Sequence, residues 1–487
     1  MDRKTRPYVF YGATRALCGR CLRVVDAKEL IEDGRVYLQK RCPDHGVERV
    51  LIADDVAWFK LTREVFLKPP EQVEHPNTGV QHGCPYDCGI CPDHEQHGCV
   101  SVLEVTDHCN LRCPTCYASS GPERTTHRSL ETIEKMLDRI VKNEGEPDVV
   151  QISGGEPTTH PDFFAILDAC RRRPIRHLML NTNGLRIAKE PGFAEKLAAY
   201  APRFEVYLQF DSLRNEVLQE LRGADLRALR MEALETLDRL NLSTTLVVTL
   251  RRGLNDDEIG DILRFAASRR SVRGVTLQPV QDAGRHVQAE GAPPDAQLHR
   301  LTVSEVRRRI YEQFPVFAPE DVLPVPCHPD CLAMAYALKQ DDGSLVPLTR
   351  YVRPETLLSA GKNTIVYEGD KAFQREVAQK LFATFSTAHG PESASESLQT
   401  LLCCLPQVQG VPTLGYDRVF RVIVMQFLDR HTMDLRSVRK ACVHIPHPDG
   451  QRVMPFDTYN VLYRDALETE TLVPLRARHG QQRTLTR

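Results

Sequence analysis

Residues 106–119 read Thr106-Asp107-His108-Cys109-Asn110-Leu111-Arg112-Cys113-Pro114-Thr115-Cys116-Tyr117-Ala118-Ser119. Cys109, Cys113 and Cys116 stand in CxxxCxxC spacing, directly after an apolar run at 101–106 that predicts a strand. Three thiolates this close can ligate three irons of a cubane cluster, which normally takes four cysteines. The missing fourth ligand leaves one iron open, as catalytic zinc sites keep an open position. An open iron can chelate the amine and carboxylate of a small molecule.

Beyond this loop the sequence alternates between strand-like and helix-like segments. Short apolar runs at 148–152, 176–181, 204–210, 243–250 and 274–278 predict five further strands. The clearest helix covers 129–143. Ser129 suits its N-cap, and Leu130, Ile133, Met136, Leu137, Ile140 and Val141 form one apolar face. Asp225 and Asn255 read as N-caps of helices over 226–240 and 256–268. Six βα units in succession imply an α/β fold with a parallel sheet covered by helices. A curved or barrel-like sheet of this kind places ligand sites at the carboxyl ends of its strands.

Those ends carry short polar groups. The second strand runs into Ser153-Gly154-Gly155-Glu156-Pro157, where glycines let backbone approach a ligand closely. The third runs into Asn181-Thr182-Asn183-Gly184 and the fourth into Gln209-Phe210-Asp211-Ser212. The fifth ends at Arg251, which can pair with a carboxylate, and the sixth at Gln278-Pro279. Each signal alone is weak, since an Asn-Gly pair is more often a turn. Together, and following CxxxCxxC, they resemble the radical S-adenosylmethionine (SAM) superfamily through the middle of the chain.

The resemblance implies a partial (β/α)6 radical SAM barrel. Cys109, Cys113 and Cys116 would hold the catalytic [4Fe–4S] cluster, with Tyr117 as the aromatic that follows the last cysteine. Gly154, Gly155 and Glu156 would bind the SAM amino group. Asn181, Asn183, Gln209 and Asp211 would face its ribose or carboxylate, Arg251 a carboxylate and Gln278 the adenine side. The implied reaction is reductive cleavage of SAM to a 5′-deoxyadenosyl radical, which takes hydrogen from an unactivated C–H bond.

The chain has 487 residues, 16 cysteines and a net charge of −2. Near-neutral charge leaves no broad nucleic-acid footprint. No apolar run of transmembrane length and no signal-peptide core is visible, so a cytoplasmic protein is expected. Cysteines there serve metal or redox chemistry rather than a disulfide framework. The basic tail (Arg476, Arg478, Arg483, Arg487) reads as a solvated terminus.

Near the N-terminus, Cys18, Cys21, Cys42 and His45 form a CxxC plus CxxH pair. Three thiolates and an imidazole suit tetrahedral zinc, with mononuclear iron as the alternative. The residues between, 22–40, suit a hairpin. Cys84, Cys88 and Cys91 repeat the CxxxCxxC spacing before the first strand, and Cys99 follows, so a fully ligated auxiliary [4Fe–4S] cluster is expected there. The flanking His82, His94 and His97 read as exposed loop residues, with a hydrogen bond to the site or replacement of a ligand as the alternative. Four of Cys327, Cys331, Cys403, Cys404 and Cys442 could ligate another auxiliary cluster, giving one or two in all. Cys170 reads as packing.

The layout as a whole resembles the archaeal tetraether lipid synthases and the related class D radical SAM methylases. The features that carry this are the N-terminal knuckle, the Cys84–Cys91 segment, Cys327-His328-Pro329-Asp330-Cys331 and the block at 438–460. The resemblance implies C–C bond formation on a lipid-like substrate, or else C-methylation of a pterin with a folate-type one-carbon donor. The apolar stretch 416–430 predicts a buried helix, part of which (419–428) could line a lipid tunnel. His431, Asp434 and His444 are the polar candidates for a pterin.

A flavodoxin or ferredoxin would supply electrons, and a lipid substrate would bring peripheral membrane contact. The expected divisions are a metal-knuckle domain (1–75), an auxiliary-cluster segment (76–100), the barrel (101–290) and a smaller C-terminal auxiliary-cluster domain (291–487). A linker is expected at 291–295 and an exposed loop at 389–397. A non-enzymatic zinc-knuckle scaffold is the competing reading, and it predicts a basic face that this composition lacks. A peptide modifier would need an N-terminal recognition domain, for which the cysteine-dense segment leaves little room.

Overall fold

The computed structural model describes residues 6–66, 68–286, 299–340, 342–350, 354 and 418–478. Cys403 and Cys404, the segments 291–295 and 389–397, and Arg483 and Arg487 lie outside the described residues.

The N-terminal segment forms a four-stranded antiparallel meander of β1 (Val9–Leu17), β2 (Val24–Glu32), β3 (Arg35–Cys42) and β4 (Gly46–Ala53). Its middle hairpin turns at Asp33 and Gly34, both left-handed at φ 49° and 75°. Two such residues give the twist that joins antiparallel strands.

The barrel strands follow as β5 (Val100–Thr106), β6 (Val149–Gly154), β7 (His177–Thr182), β8 (Phe204–Gln209), β9 (Thr244–Leu250) and β10 (Val272–Pro279). They pair in parallel in sequence order. The rest of the chain adds β11 (Leu323–Pro324), β12 (Leu332–Lys339), β13 (Leu345–Pro347), β14 (Val419–Met425), β15 (Val443–Pro446) and β16 (Val453–Pro455). The sheet order is β11-β12-β14-β10-β9-β8-β7-β6-β5-β15-β16. β14 lies parallel to β10, and β15 lies parallel to β5. C-terminal strands thus extend both edges of the barrel sheet, and the sheet crosses the boundary expected at residue 290.

Period-two alternation sorts each strand's side chains. Leu178 and Leu180, Val206 and Leu208, and Phe420, Val422 and Val424 join the core beneath the helices. Met179, Tyr207 and Ile423 face the inner side. The helix Leu130–Glu144 starts as expected, with the Ser129 side chain accepting from the Thr132 amide at 3.2 Å. Its Ile133, Met136, Leu137 and Ile140 are buried against the sheet, each contributing roughly 1.5–3 kcal/mol. Cys170 sits in the same core.

Several expectations need correction. The stretch 416–430 holds strand β14 and not a helix, because its apolar residues complete the sheet beside β10. The helices expected from 226 and 256 begin later, as Arg227–Leu240 and Ile259–Ser268. Asp225 caps only the Arg227 amide, and Asn255 donates instead to the Asp211 and Thr249 carbonyls. Arg476 is no frayed residue, since its Nε donates to the Tyr86 carbonyl at 2.9 Å. Among the described residues, no helix is long and apolar enough to cross a membrane.

Candidate active site

The inner face of the sheet encloses a cavity of about 440 Å³ at the carboxyl ends of the parallel strands. Of the residues expected around the catalytic cluster and SAM, every one except Asp211 lines it.

The cysteine loop is held to the strand ends by backbone. The Gly155 amide donates to the Thr106 carbonyl at 2.7 Å, and the Glu156 amide to the His108 carbonyl at 2.8 Å. A Cβ on Gly155 would meet the His108 oxygen at 2.1 Å, and one on Gly154 the Thr106 oxygen at 2.3 Å. These glycines therefore admit the cysteine loop itself, a nearer neighbour than any ligand. From the other side, the segment after β10 straps the loop. The Arg285 guanidinium donates to the carbonyls of Cys113 (2.5 Å) and Ser120 (2.6 Å), and its amide donates to Cys116 (3.0 Å).

Glu156 does not offer a free carboxylate. One oxygen accepts from the Thr158 amide and hydroxyl and from the Thr182 hydroxyl, and the other from the Asn183 amide at 2.8 Å. Burial still holds its pKa up. Glu156 thus locks the end of β6 to the end of β7, and only its backbone remains for a ligand. Asn183 in turn donates to the Asn110 side chain of the cysteine loop at 2.7 Å.

A hydrogen-bonded ladder crosses the strand ends. Asn181 donates to the Ser153 hydroxyl (3.1 Å), Gln209 to the Asn181 carbonyl oxygen (2.8 Å), and Arg222 to the Gln209 carbonyl oxygen (2.9 Å). Asp211 stands behind this wall, where Arg222 and Arg230 clasp it at 2.6 and 3.0 Å. Burial opposes its charge, but the two guanidiniums outweigh that and hold its pKa well below the usual carboxylate range. Asp211 therefore anchors Arg222 and does not face a ligand. Arg222 also hydrogen-bonds the Cys113 thiol. Sequence reading missed Arg222 and Arg285, since nothing local distinguishes them from other helix-end and loop arginines. Arg251 pairs with Glu220 at 2.6 Å.

The radical SAM superfamily domain matches residues 103–266, and the HMPTM N-terminal zinc ribbon domain matches residues 10–54. The chain is 30% identical over 490 residues to the 7,8-dihydro-6-hydroxymethylpterin dimethyltransferase of Methanocaldococcus jannaschii, covering 95% of this chain and 96% of that protein. The chain belongs to the radical SAM family of that protein. The GTP 3′,8-cyclase of Alkaliphilus metalliredigens is 32% identical over 187 residues, which are 37% of this chain and 57% of that one. Among solved structures, Streptococcus suis SuiB bound to S-adenosylmethionine matches at 18% identity with a TM-score of 0.33, covering 38% of this chain and 41% of SuiB.

This radical SAM enzyme uses a [4Fe–4S] cluster and SAM, and the residues present fit them. Cys109, Cys113 and Cys116 are free thiols on one cavity wall. The Leu111 amide points at the Cys109 sulfur (3.4 Å) and Arg222 at Cys113. Both contacts favour thiolate, the form that binds iron. Burial otherwise pushes the Cys109 thiol up to about 12.

The radical SAM chain groups its other cysteines differently from the expected order. Cys99 does not join Cys84, Cys88 and Cys91. It gathers with Cys327 and Cys442, their sulfurs all within 4.8 Å of one another. The cause is register: Val100 pairs with Val443, so the residues just before these strands stand side by side. Cys331 is buried in the same apolar cluster as these three, but its sulfur is not part of the trio. Cys84, Cys88 and Cys91 instead line a small recess with Asp93 and His94. All-sulfur donor sets fit iron–sulfur clusters.

Of the flanking histidines, His94 is buried, with its Nε2 3.0 Å from the Ala441 carbonyl. The His97 Nε2 lies 3.7 Å from the Cys99 sulfur. Neither is the exposed loop residue that the sequence suggested. In the N-terminal sheet, Cys18, Cys21, Cys42 and His45 bring four ligand atoms within 4.8 Å. Three sulfurs and one ring nitrogen suit zinc.

Proposed function

We propose that this radical SAM enzyme methylates a carbon of a dihydropterin or a closely related bicyclic heterocycle. The observation that carries the reading is the full-length match to a protein named as a pterin dimethyltransferase. The cavity supports it. Its inward strand positions include the amide and hydroxyl side chains of Gln151, Ser153, Asn181, Gln209, Thr276 and Gln278, which offer hydrogen-bonding groups to a heteroatom-rich substrate amid apolar neighbours such as Val102, Met179 and Ile423. His431, Asp434 and His444 do not line the cavity, which leaves the strand residues as the polar groups that favour this reading.

When bound, the cluster and SAM supply the radical that removes hydrogen from the substrate. The chain's own residues position and exclude. Arg285 and the Gly154–Gly155 turn fix the cysteine loop, and the Ser153-Asn181-Gln209-Arg222 ladder fixes the rim. Tyr117, Phe456 and Phe427 close one side, with ring centroids 5.0 and 4.3 Å apart in that order. Aromatic faces of this kind can stack on a flat ring. A reduced flavodoxin or ferredoxin would donate the electron, and a folate-type donor the carbon.

The test is anaerobic incubation of reconstituted protein with SAM, reductant, the one-carbon donor and 6-hydroxymethyl-7,8-dihydropterin, followed by mass spectrometry. A pterin product heavier by one or two methylene units is expected. Recovery of unchanged pterin from protein that turns over SAM with another substrate would overturn the reading.

A further inference from the structure

We propose that Gln151 determines substrate specificity by hydrogen-bonding the 2-amino-4-oxo pyrimidine edge of the pterin. This rests on the pterin reading above and deepens it. Gln151 lies on β6 with Val102 of β5 and Met179 of β7 as its register neighbours, and all three line the cavity.

The other polar groups around Gln151 already have partners within the protein. One layer nearer the strand ends, Ser153, Asn181, Gln209 and Thr249 are tied together through Arg222. Behind that layer Arg230 binds Asp211, and near the amino ends of the strands Arg421 binds Glu205 and the Thr245 hydroxyl. Across the lumen, the Gln278 amide donates to the Tyr207 hydroxyl at 3.1 Å. The Gln151 carboxamide makes no hydrogen bond to any described residue, and it borders the cavity.

A primary carboxamide offers two N–H donors and one carbonyl acceptor in a plane. The pterin pyrimidine edge offers the reverse, an acceptor beside donors in one plane. Such a pair can form two parallel hydrogen bonds. On either side Gln151 is flanked by the apolar Val102 and Met179, neither of which can satisfy a polar group, and an unmatched polar group beside them is costly. A site that hydrogen-bonds a substrate group discriminates strongly against an analogue that lacks it.

The experiment is a cycle of protein and ligand changes. Binding of 6-hydroxymethyl-7,8-dihydropterin and of two analogues, one without the 2-amino group and one without the 4-oxo group, is measured anaerobically on reconstituted wild type and Gln151→Leu by equilibrium dialysis. Wild type should bind at least one analogue about tenfold more weakly than the parent, and in Gln151→Leu that ratio should fall to about one. The ratio, unlike the affinity, is insensitive to general damage in the variant. An unchanged ratio in Gln151→Leu would overturn the assignment while leaving the pterin reading intact. Failure of wild type to bind any of the three would overturn both.

Discussion

The Val100 amide donates to the Cys442 carbonyl at 3.1 Å, which joins the first barrel strand to a strand that follows it by more than three hundred residues. Cys99 and Cys442 stand side by side because of this pairing, and Cys327 completes the trio. Among the described residues this leaves two separate cysteine sets, Cys84, Cys88 and Cys91 in one and Cys99, Cys327 and Cys442 in the other, and we propose that each holds an auxiliary cluster. Cys84→Ala and Cys99→Ala should therefore act independently. Each should lower iron and sulfide by roughly four atoms per chain, and the double variant by the sum. If the double variant lost no more than either single one, the two sets would belong to one cluster.

Arg285 straps the cysteine loop through the carbonyls of Cys113 and Ser120. Hydrogen bonds to charged donors contribute about 1.5–3 kcal/mol each. Arg285→Ala should release cluster iron to a chelator roughly tenfold faster, and Arg285→Lys should fall between the two. Equal release rates for all three proteins would remove the strap from the account.

Gly155 is sterically required, since a Cβ there would strike the His108 carbonyl at 2.1 Å. Gly155→Ala should cost roughly 3 kcal/mol in urea unfolding. Gly79→Ala is the control, because an added Cβ there meets nothing within 4 Å, and it should stay within about 0.5 kcal/mol of wild type.

His431 links the N-terminal sheet to the active-site strap. Its ring nitrogens contact Glu48 at 2.7 Å and Asp282 at 3.0 Å. Burial disfavours its charge, but the hydrogen bonds to Asp282 and Glu48 outweigh burial and lift its pKa to about 9. The folded-state pKa is thus above the unfolded value of about 6.5. The stabilisation is complete below about pH 6.5 and fades as pH rises through 9. Compared with His431→Gln, wild type should be more stable by on the order of 2 kcal/mol at pH 6, with most of that gap gone by pH 10. A gap independent of pH would show that the charge on His431 contributes nothing.

The six barrel strands were legible because strands buried on both faces read as short apolar runs, and the cysteine loop was legible because its spacing is local. The same logic misread β14. Its run from Val419 to Met425 is apolar on both faces apart from Arg421, and without its partner β10 it carries no period that separates strand from helix. Cys99 was misassigned for the opposite reason. Nearness in sequence favoured Cys91, whereas register across the sheet places Cys99 beside Cys442. Asp211 and Glu156 were legible as strand-end carboxylates. That both are fully occupied by neighbours was not, since their partners Arg230 and Thr182 come from other elements.

The central claim is that Cys109, Cys113 and Cys116 hold the cluster that cleaves SAM. The most direct measurement is 5′-deoxyadenosine formed by anaerobically reconstituted protein with SAM and dithionite, set beside Cys113→Ala. Wild type should form 5′-deoxyadenosine, and Cys113→Ala should form none while keeping the iron of its auxiliary sites. Intact SAM with wild type, or equal 5′-deoxyadenosine from the variant, would contradict the account.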